Sequence, residues 1–296
     1  MNTGWGALAT GDAQPYPWRA WRPQLALLAI TLGAFALFTW RLDAKSIWWD
    51  ESLSLYRAQR SVSYILSNRI DFPGASTVDL HPPLYFLLLR GITQTWGESD
   101  WILRFPSALW ATLTVPLLYA MGRRLRGPRA GLAAALLGAL SPFLLWYAQE
   151  ARMYTMVTAL GLGAAYCLWR AAGERRLRWA LGCVAASAAA MSTQYLYALL
   201  LGMHALLAAT RWPRLNPLRR HANHRRRDAI LLAALGAAMI VMVATGRVAV
   251  ERALGPHAGR NYLPLYLMLR DAVNSFTVGL SMSLRQAWPL DLLAAL

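Results

Sequence analysis

The chain is poor in acidic residues and cysteine, and it has neither internal repeats nor low-complexity linkers. The two cysteines, Cys167 and Cys183, both fall inside apolar segments, so no disulfide is expected. Only 14 acidic residues stand against 30 basic ones, while 57% of the residues are hydrophobic. That share is too high for an ordinary soluble domain of 296 residues, and it indicates a membrane protein.

Seven apolar stretches are long enough to be membrane spans, which need about 20 mostly apolar residues. They are Arg22–Trp40, Arg104–Gly122, Ala130–Tyr147, Met153–Trp169, Arg178–Thr193, Leu196–Arg211 and Asp228–Gly246. The first stretch lacks a convincing cleavage site, so we interpret it as an uncleaved anchor and not a signal peptide. The expected fold is therefore an all-α, polytopic transmembrane helical bundle, with residues 1–296 as one domain.

The placement of the basic residues predicts the topology. Arginines cluster in three short segments, residues 123–129, 170–178 and 211–227, which alternate with segments poor in arginine. This is the positive-inside pattern of an inner-membrane protein with a cytoplasmic N-terminus. The net charge of +16 is thus explained by topology and by contacts with lipid headgroups, and it does not indicate nucleic-acid binding.

The same alternation predicts a long first extracytoplasmic loop over residues 41–103. Two apolar stretches lie between the first span and the basic segment at Arg123, and only one of them can cross the membrane. Pro82–Trp96 is short, aromatic and carries Arg90, so we expect it to be an interfacial helix. The loop holds half of the acidic residues, and its aromatic content favours an ordered cap with juxtamembrane helices.

Three motifs in the outer segments could carry chemistry. "WWDESLSLY" places Asp50 and Glu51 just beyond the first span, either as functional carboxylates or as acids that favour a helix N-terminus. "LHPPLYFLLLR" contains His81, which is a candidate ligand for a divalent metal or an anion, or else a structural residue.

The third motif, "SPFLLWYAQEARMY", places Glu150 and Arg152 at the outer membrane boundary and ends at Tyr154. Ionisable groups at this depth are costly and are often functional, although a structural pair is the alternative. Tyr195, at the outer end of a later span, is either a substrate contact or an interfacial anchor.

Together these motifs resemble the N-terminal part of the membrane glycosyltransferases with the C-type fold. Within them the chain is most similar to the protein-mannosyltransferase and aminoarabinose-transferase-like group. The resemblance runs from about Trp48 to Tyr154 and more loosely to Leu200, and the order and spacing of the motifs make it specific.

The resemblance implies transfer of a sugar from a polyprenyl-phosphate carrier to an acceptor outside the cytoplasm, with inversion at the anomeric carbon. Asp50, with Glu51 beside it, matches the family's essential acidic position and would act as the general base. Arg152 would stabilise the departing phosphate. Glu150 would position the acceptor or share a divalent metal with His81, while Tyr154 and Tyr195 are further substrate-binding candidates.

Two alternatives remain open: a lipid or sugar transporter or flippase, and a non-catalytic membrane subunit or fragment. Against a transporter, the chain has no inverted repeat and no paired broken spans. Because "PLDLLAAL" would begin a further span, we also expect the chain to continue past Leu296 and to be inactive without that part.

Overall fold

A computed structural model describes residues 18–72, 75–79, 81–174 and 176–211. Its elements are α1 (Trp18–Thr39), α2 (Trp49–Ala58), α3 (Val62–Leu66), β1 (Arg69–Phe72), β2 (Ala75–Val78), α4 (Leu84–Trp96), α5 (Asp100–Arg126), α6 (Pro128–Ala139), α7 (Pro142–Ala148), α8 (Tyr154–Glu174), α9 (Leu177–Met191) and α10 (Tyr197–Arg211). The expectation of a mostly helical fold is confirmed. The antiparallel hairpin formed by β1 and β2 is a departure from the all-α prediction.

The long helix α5 is the centre of the bundle and packs against α1, α6 and α8. Ser99 caps its N-terminus by accepting a hydrogen bond from the Ile102 amide. Gly127, at φ 87°, ends it, and Pro128 begins α6 directly afterwards. The two helices then pack closely at Gly131. A Cβ at this position would lie only 2.8 Å from the Tyr119 carbonyl oxygen.

Six of the seven predicted spans coincide with helices, while Asp228–Gly246 lies outside the described residues. By length and composition, α5 alone qualifies as a span among the described helices, and α6 with α7 qualifies as a second, bent by 54°. The bend falls where Ser141 caps α7 and Pro142 begins it. The number of spans therefore stays a prediction.

The outer faces of several helices are apolar. Large side chains such as Leu28, Leu137, Leu181 and Leu199 are more than half exposed. Apolar surface of this extent is unfavourable in water, so these faces fit contact with lipid tails.

The segment predicted to be a long outer loop is packed onto one end of the bundle. Helices α2 and α4 lie against each other, and α4 also contacts α5. Tyr85, Phe86 and Leu89 of α4 are buried in a cluster that also contains Leu103 of α5 and Met153 beside α8. This packing fixes α2, and with it Asp50 and Glu51, against the helix ends.

Candidate active site

The two adjacent carboxylates occupy the first turn of α2, where acids favour the helix dipole. The helix begins after Trp48, whose backbone is extended and whose amide donates to Glu51 Oε2 at 3.4 Å. Neighbouring residues on a helix point about 100° apart. Asp50 and Glu51 therefore face different surroundings.

Glu51 is buried and fully engaged. Its side chain is 1% exposed, and both oxygens meet Arg104, with Nε 2.8 Å from Oε1 and Nη2 2.7 Å from Oε2. Oε1 also accepts from the Ala151 amide at 2.8 Å. With its acceptor sites occupied by these donors, this carboxylate joins α2 to α5 and to the turn before α8, and it has little capacity to receive an acceptor's proton.

Arg104 holds a second piece of chain in place. Its remaining donors go to the carbonyl oxygens of Leu42, Lys45 and Ser46, at 2.5, 2.8 and 3.2 Å respectively. A planar guanidinium with five fixed donors suits such a junction. The segment that leads into α2 is therefore anchored by one buried side chain.

Asp50 is different because a third of its side chain, 33%, is exposed. The nearest cation is Arg152, whose Nη2 lies 3.7 Å from Asp50 Oδ2. No hydrogen bond to the Asp50 carboxylate is found among the described residues. The carboxylate is thus oriented by a positive charge yet open to a substrate.

Arg152 is 5% exposed and is held by the protein around it. Nη1 donates to the Asp50 carbonyl oxygen at 3.3 Å and to Ser54 Oγ at 3.4 Å, while Nη2 lies 3.3 Å from His81 Nε2. Its Nε is buried without a partner in the described part of the chain. The guanidinium consequently bridges Asp50 and His81.

His81 continues this bridge to Asp79 and Arg57. Since Arg152 can only donate, His81 Nε2 accepts, and the ring proton sits on Nδ1, which donates to Asp79 Oδ1 at 2.7 Å. Arg57 is fully buried and lies 2.7 Å from Asp79 Oδ2. Burial works against ionisation of the Asp79 carboxyl, but the His81 hydrogen bond and the Arg57 charge outweigh it and lower the pKa.

A cavity of about 330 Å³ borders the Glu51–Arg104 pair. Besides Lys45 and Glu150, its walls include the rings of Trp48, Trp146, Tyr147 and Tyr154. Burial raises the pKa of Glu150 to about 7, and the nearby charges of Glu51 and Asp50 add to this, while the Trp146 indole and Arg152 act against it. Near neutral pH, Glu150 is therefore close to half protonated.

The structure brings Asp50, Glu51, Glu150, Arg152, Tyr154 and His81 to one end of the bundle. Tyr195 packs with the α9–α10 cluster and lies within electrostatic range of Arg57. The Leu84 amide, at the start of α4, donates to the Ser192 carbonyl oxygen at 3.0 Å. This hydrogen bond joins the turn between α9 and α10 to α4.

No group of three or more His, Cys, Asp or Glu suited to a metal occurs in the described ranges. Both ring nitrogens of His81 already face protein partners. A metal shared by His81 and Glu150 stays a prediction.

Sequence reasoning did not single out Arg104, Asp79 or Lys45. Arg104 had a visible signal, since it is a lone charge at the start of an apolar stretch. The other two are ordinary loop residues by sequence, and only the folding of the loop shows their contacts.

The chain was compared with known proteins. A family model described as "Dolichyl-phosphate-mannose-protein mannosyltransferase" matches residues 80–245. YycA of Bacillus subtilis (strain 168), a candidate mannosyltransferase by its name, is 30% identical over 162 residues, which are 53% of this chain and 23% of that protein. The S. cerevisiae protein O-mannosyltransferase Pmt1-Pmt2 complex bound to the sugar donor is similar with a TM-score of 0.59 and 16% identity, over 79% of this chain and 34% of that chain.

The chain thus spans between a quarter and a third, roughly, of the length of these two relatives. At such low identity, the likeness to the yeast complex shows a shared fold.

Proposed function

The chain belongs to the dolichyl-phosphate-mannose-protein mannosyltransferase family, and we propose on this premise that it moves a sugar from a polyprenyl-phosphate donor to an acceptor. The transfer takes place on the extracytoplasmic side of the membrane, where residues 41–103 form a cap over the bundle. Mannose is the first sugar to test, because both relatives carry it in their names.

One observation carries this proposal: the two adjacent carboxylates lie in different surroundings. Glu51 is buried and engaged with Arg104, whereas a third of the Asp50 side chain is exposed. Asp50 is therefore the general base that removes the proton from the acceptor hydroxyl. A single displacement then inverts the anomeric carbon.

We assign Arg152 and His81 to the base side of the reaction, whereas the resemblance implies that Arg152 stabilises the departing phosphate. Arg152 lies 3.7 Å from the Asp50 carboxylate and also meets the neutral His81, which Asp79 holds in the required tautomer. This chain of contacts orients Asp50 towards the acceptor. Tyr154 and Tyr195 are proposed substrate contacts.

The test is sugar transfer from polyprenyl-phosphate-mannose in membranes that contain native acceptors and the full-length protein. Asp50→Asn should lower transfer by about 100- to 10,000-fold, the usual contribution of a general base, with expression unchanged. Asp43→Asn is the matched control, since Asp43 is an exposed carboxylate in the same loop. Transfer by Asp50→Asn within a few-fold of the parent would rule out Asp50 as the base.

A further inference from the structure

Lys45 borders the cavity next to the Glu51–Arg104 pair and is the only lysine among the chain's 30 basic residues. Its ammonium lies 4.7 Å from the centroid of the Trp146 ring. Its carbonyl oxygen accepts a hydrogen bond from Arg104, which fixes the backbone at this point. The side chain is exposed, so it can meet a ligand that enters from outside.

The other cations at this end of the described chain are already committed. Arg104 pairs with Glu51, and Arg57 pairs with Asp79. The hydrogen bonds of Arg152 go to Asp50, Ser54 and His81. Lys45 forms no ion pair with a described carboxylate, so it is the cation around the cavity that remains available to an anion.

The geometry of a single displacement places the phosphate away from the base. The acceptor oxygen lies between the base and the anomeric carbon, and the leaving oxygen departs on the opposite side of that carbon. With a hydrogen bond and near-attack contact distances, the base and the leaving oxygen are about 7 Å apart. Arg152 lies on the base side, so the leaving phosphate needs another cation.

We propose that this cavity binds the phosphate of the polyprenyl-phosphate donor, with Lys45 as the counter-ion and Glu150 as a second polar contact. In the transfer, the acceptor oxygen forms a bond to the anomeric carbon, and its proton passes to Asp50. The bond from that carbon to the phosphate oxygen breaks, and the electron pair leaves with the phosphate. Lys45 and Glu150 then stabilise the charge that appears on polyprenyl phosphate.

The cavity walls fit the rest of such a ligand. Trp48, Trp146 and Tyr147 offer aromatic surface, which suits a sugar ring or the first isoprene units beside the phosphate. The Glu51–Arg104 pair is internally balanced and adds no net charge. The cavity is thus positive at Lys45 and otherwise close to neutral while Glu150 keeps its proton.

The inference rests on the proposed function and is tested first by kinetics on the full-length protein. Lys45→Gln should raise the KM for the donor by about 10- to 100-fold, the loss of one charge-assisted hydrogen bond, whereas Lys45→Arg should stay within about three-fold. Arg69→Gln, which removes an exposed charge from the same loop, is the control. An unchanged donor KM in Lys45→Gln would overturn the inference.

A second test needs no turnover. Lys45 is the only lysine in residues 1–296, and its acylation by an amine reagent can be followed by mass spectrometry of the peptide that contains it. Polyprenyl phosphate should slow this acylation at least ten-fold, and phosphatidylglycerol at the same mole fraction and inorganic phosphate should not. Equal protection by phosphatidylglycerol would mean a general site for anionic lipid, and equal protection by inorganic phosphate would mean a simple anion site. Either result, or no protection at all, would contradict a donor site.

The same labelling of Asp50→Asn separates the two proposals. This variant should keep the protection by polyprenyl phosphate, because Asp50 lies on the acceptor side. Retained protection together with normal transfer in Asp50→Asn would overturn the assignment of the base and leave the phosphate site standing. Lost protection in Asp50→Asn would contradict the separation of the two sides.

Discussion

Replacing Glu51 by glutamine should destabilise the protein far more than replacing Asp50 by asparagine. Glu51 and Arg104 are 1% and 3% exposed and meet at 2.7 Å. Neutralising one partner of a buried pair leaves the other charge uncompensated, which typically costs about 3–5 kcal/mol. The Asp50–Arg152 contact is longer, at 3.7 Å, and Asp50 is one-third exposed, so its loss should cost clearly less even though Arg152 itself is buried.

Thermal unfolding of the purified full-length protein can measure this difference through the reaction of a thiol dye with Cys183, which is buried in the folded chain. At about 2–4 °C per kcal/mol, the Tm of Glu51→Gln should fall by roughly 6 °C or more. Asp50→Asn should stay within a few degrees of the parent. Transfer activity should be lost in Asp50→Asn although its fold is intact.

The double variant Glu51→Gln with Arg104→Met is the control for the pair. If the two side chains interact, the double variant should lose less unfolding free energy than the sum of the losses in the two single variants. The difference should be at least about 1 kcal/mol. Equal Tm values for Glu51→Gln and Asp50→Asn would refute the assignment of Glu51 to structure and of Asp50 to chemistry.

Three further predictions follow from the same geometry. Arg152→Ala should lower kcat by about ten-fold or more and leave the donor KM nearly constant, and Arg152→Lys should lower kcat less. A rise in the donor KM alone would instead support Arg152 as the phosphate ligand. The donor KM should rise as pH increases through about 7, because Glu150 then ionises and repels the phosphate. Glu150→Gln should flatten this pH profile. An unchanged slope in that variant would contradict a contact between Glu150 and the donor phosphate. In a cysteine-free background, a membrane-impermeant thiol reagent applied from outside should modify a cysteine at position 50 and spare one at position 124, and the reverse pattern would invert the topology. The charged or titratable groups that surround Glu150 in that pH profile are Lys45, Asp50, Glu51, Arg104, Tyr147, Arg152 and Tyr154.

The lengths of the apolar stretches and the placement of the arginines predicted much of the helical framework. The stretch Pro82–Trp96 was expected to be a separate helix because the charge alternation left it no span, and α4 occupies Leu84–Trp96. The bend after α6 was missed, although a serine followed by a proline at 141 and 142 is an ordinary helix-start signal. The resemblance to the mannosyltransferase group is confirmed by the family match.

The division of labour within the site could not be predicted. Adjacent acids look equivalent in sequence, and what distinguishes Glu51 is Arg104, which lies 53 positions away along the chain. His81 was a candidate for a metal or an anion, and its partners Asp79 and Arg152 are known only from the folded loop. Long-range contacts of this kind leave no periodic signal, so single-sequence reasoning finds the residues but not their roles.

The stereochemistry of transfer tests the central claim most directly, since a general base and a single displacement determine it. The anomeric configuration of the donor and of the initial product can be compared by NMR with the full-length protein and polyprenyl-phosphate-mannose. We expect an inverted configuration in the product and no product from Asp50→Asn. A retained configuration would contradict this assignment, because a single displacement from the side opposite the phosphate inverts the anomeric carbon.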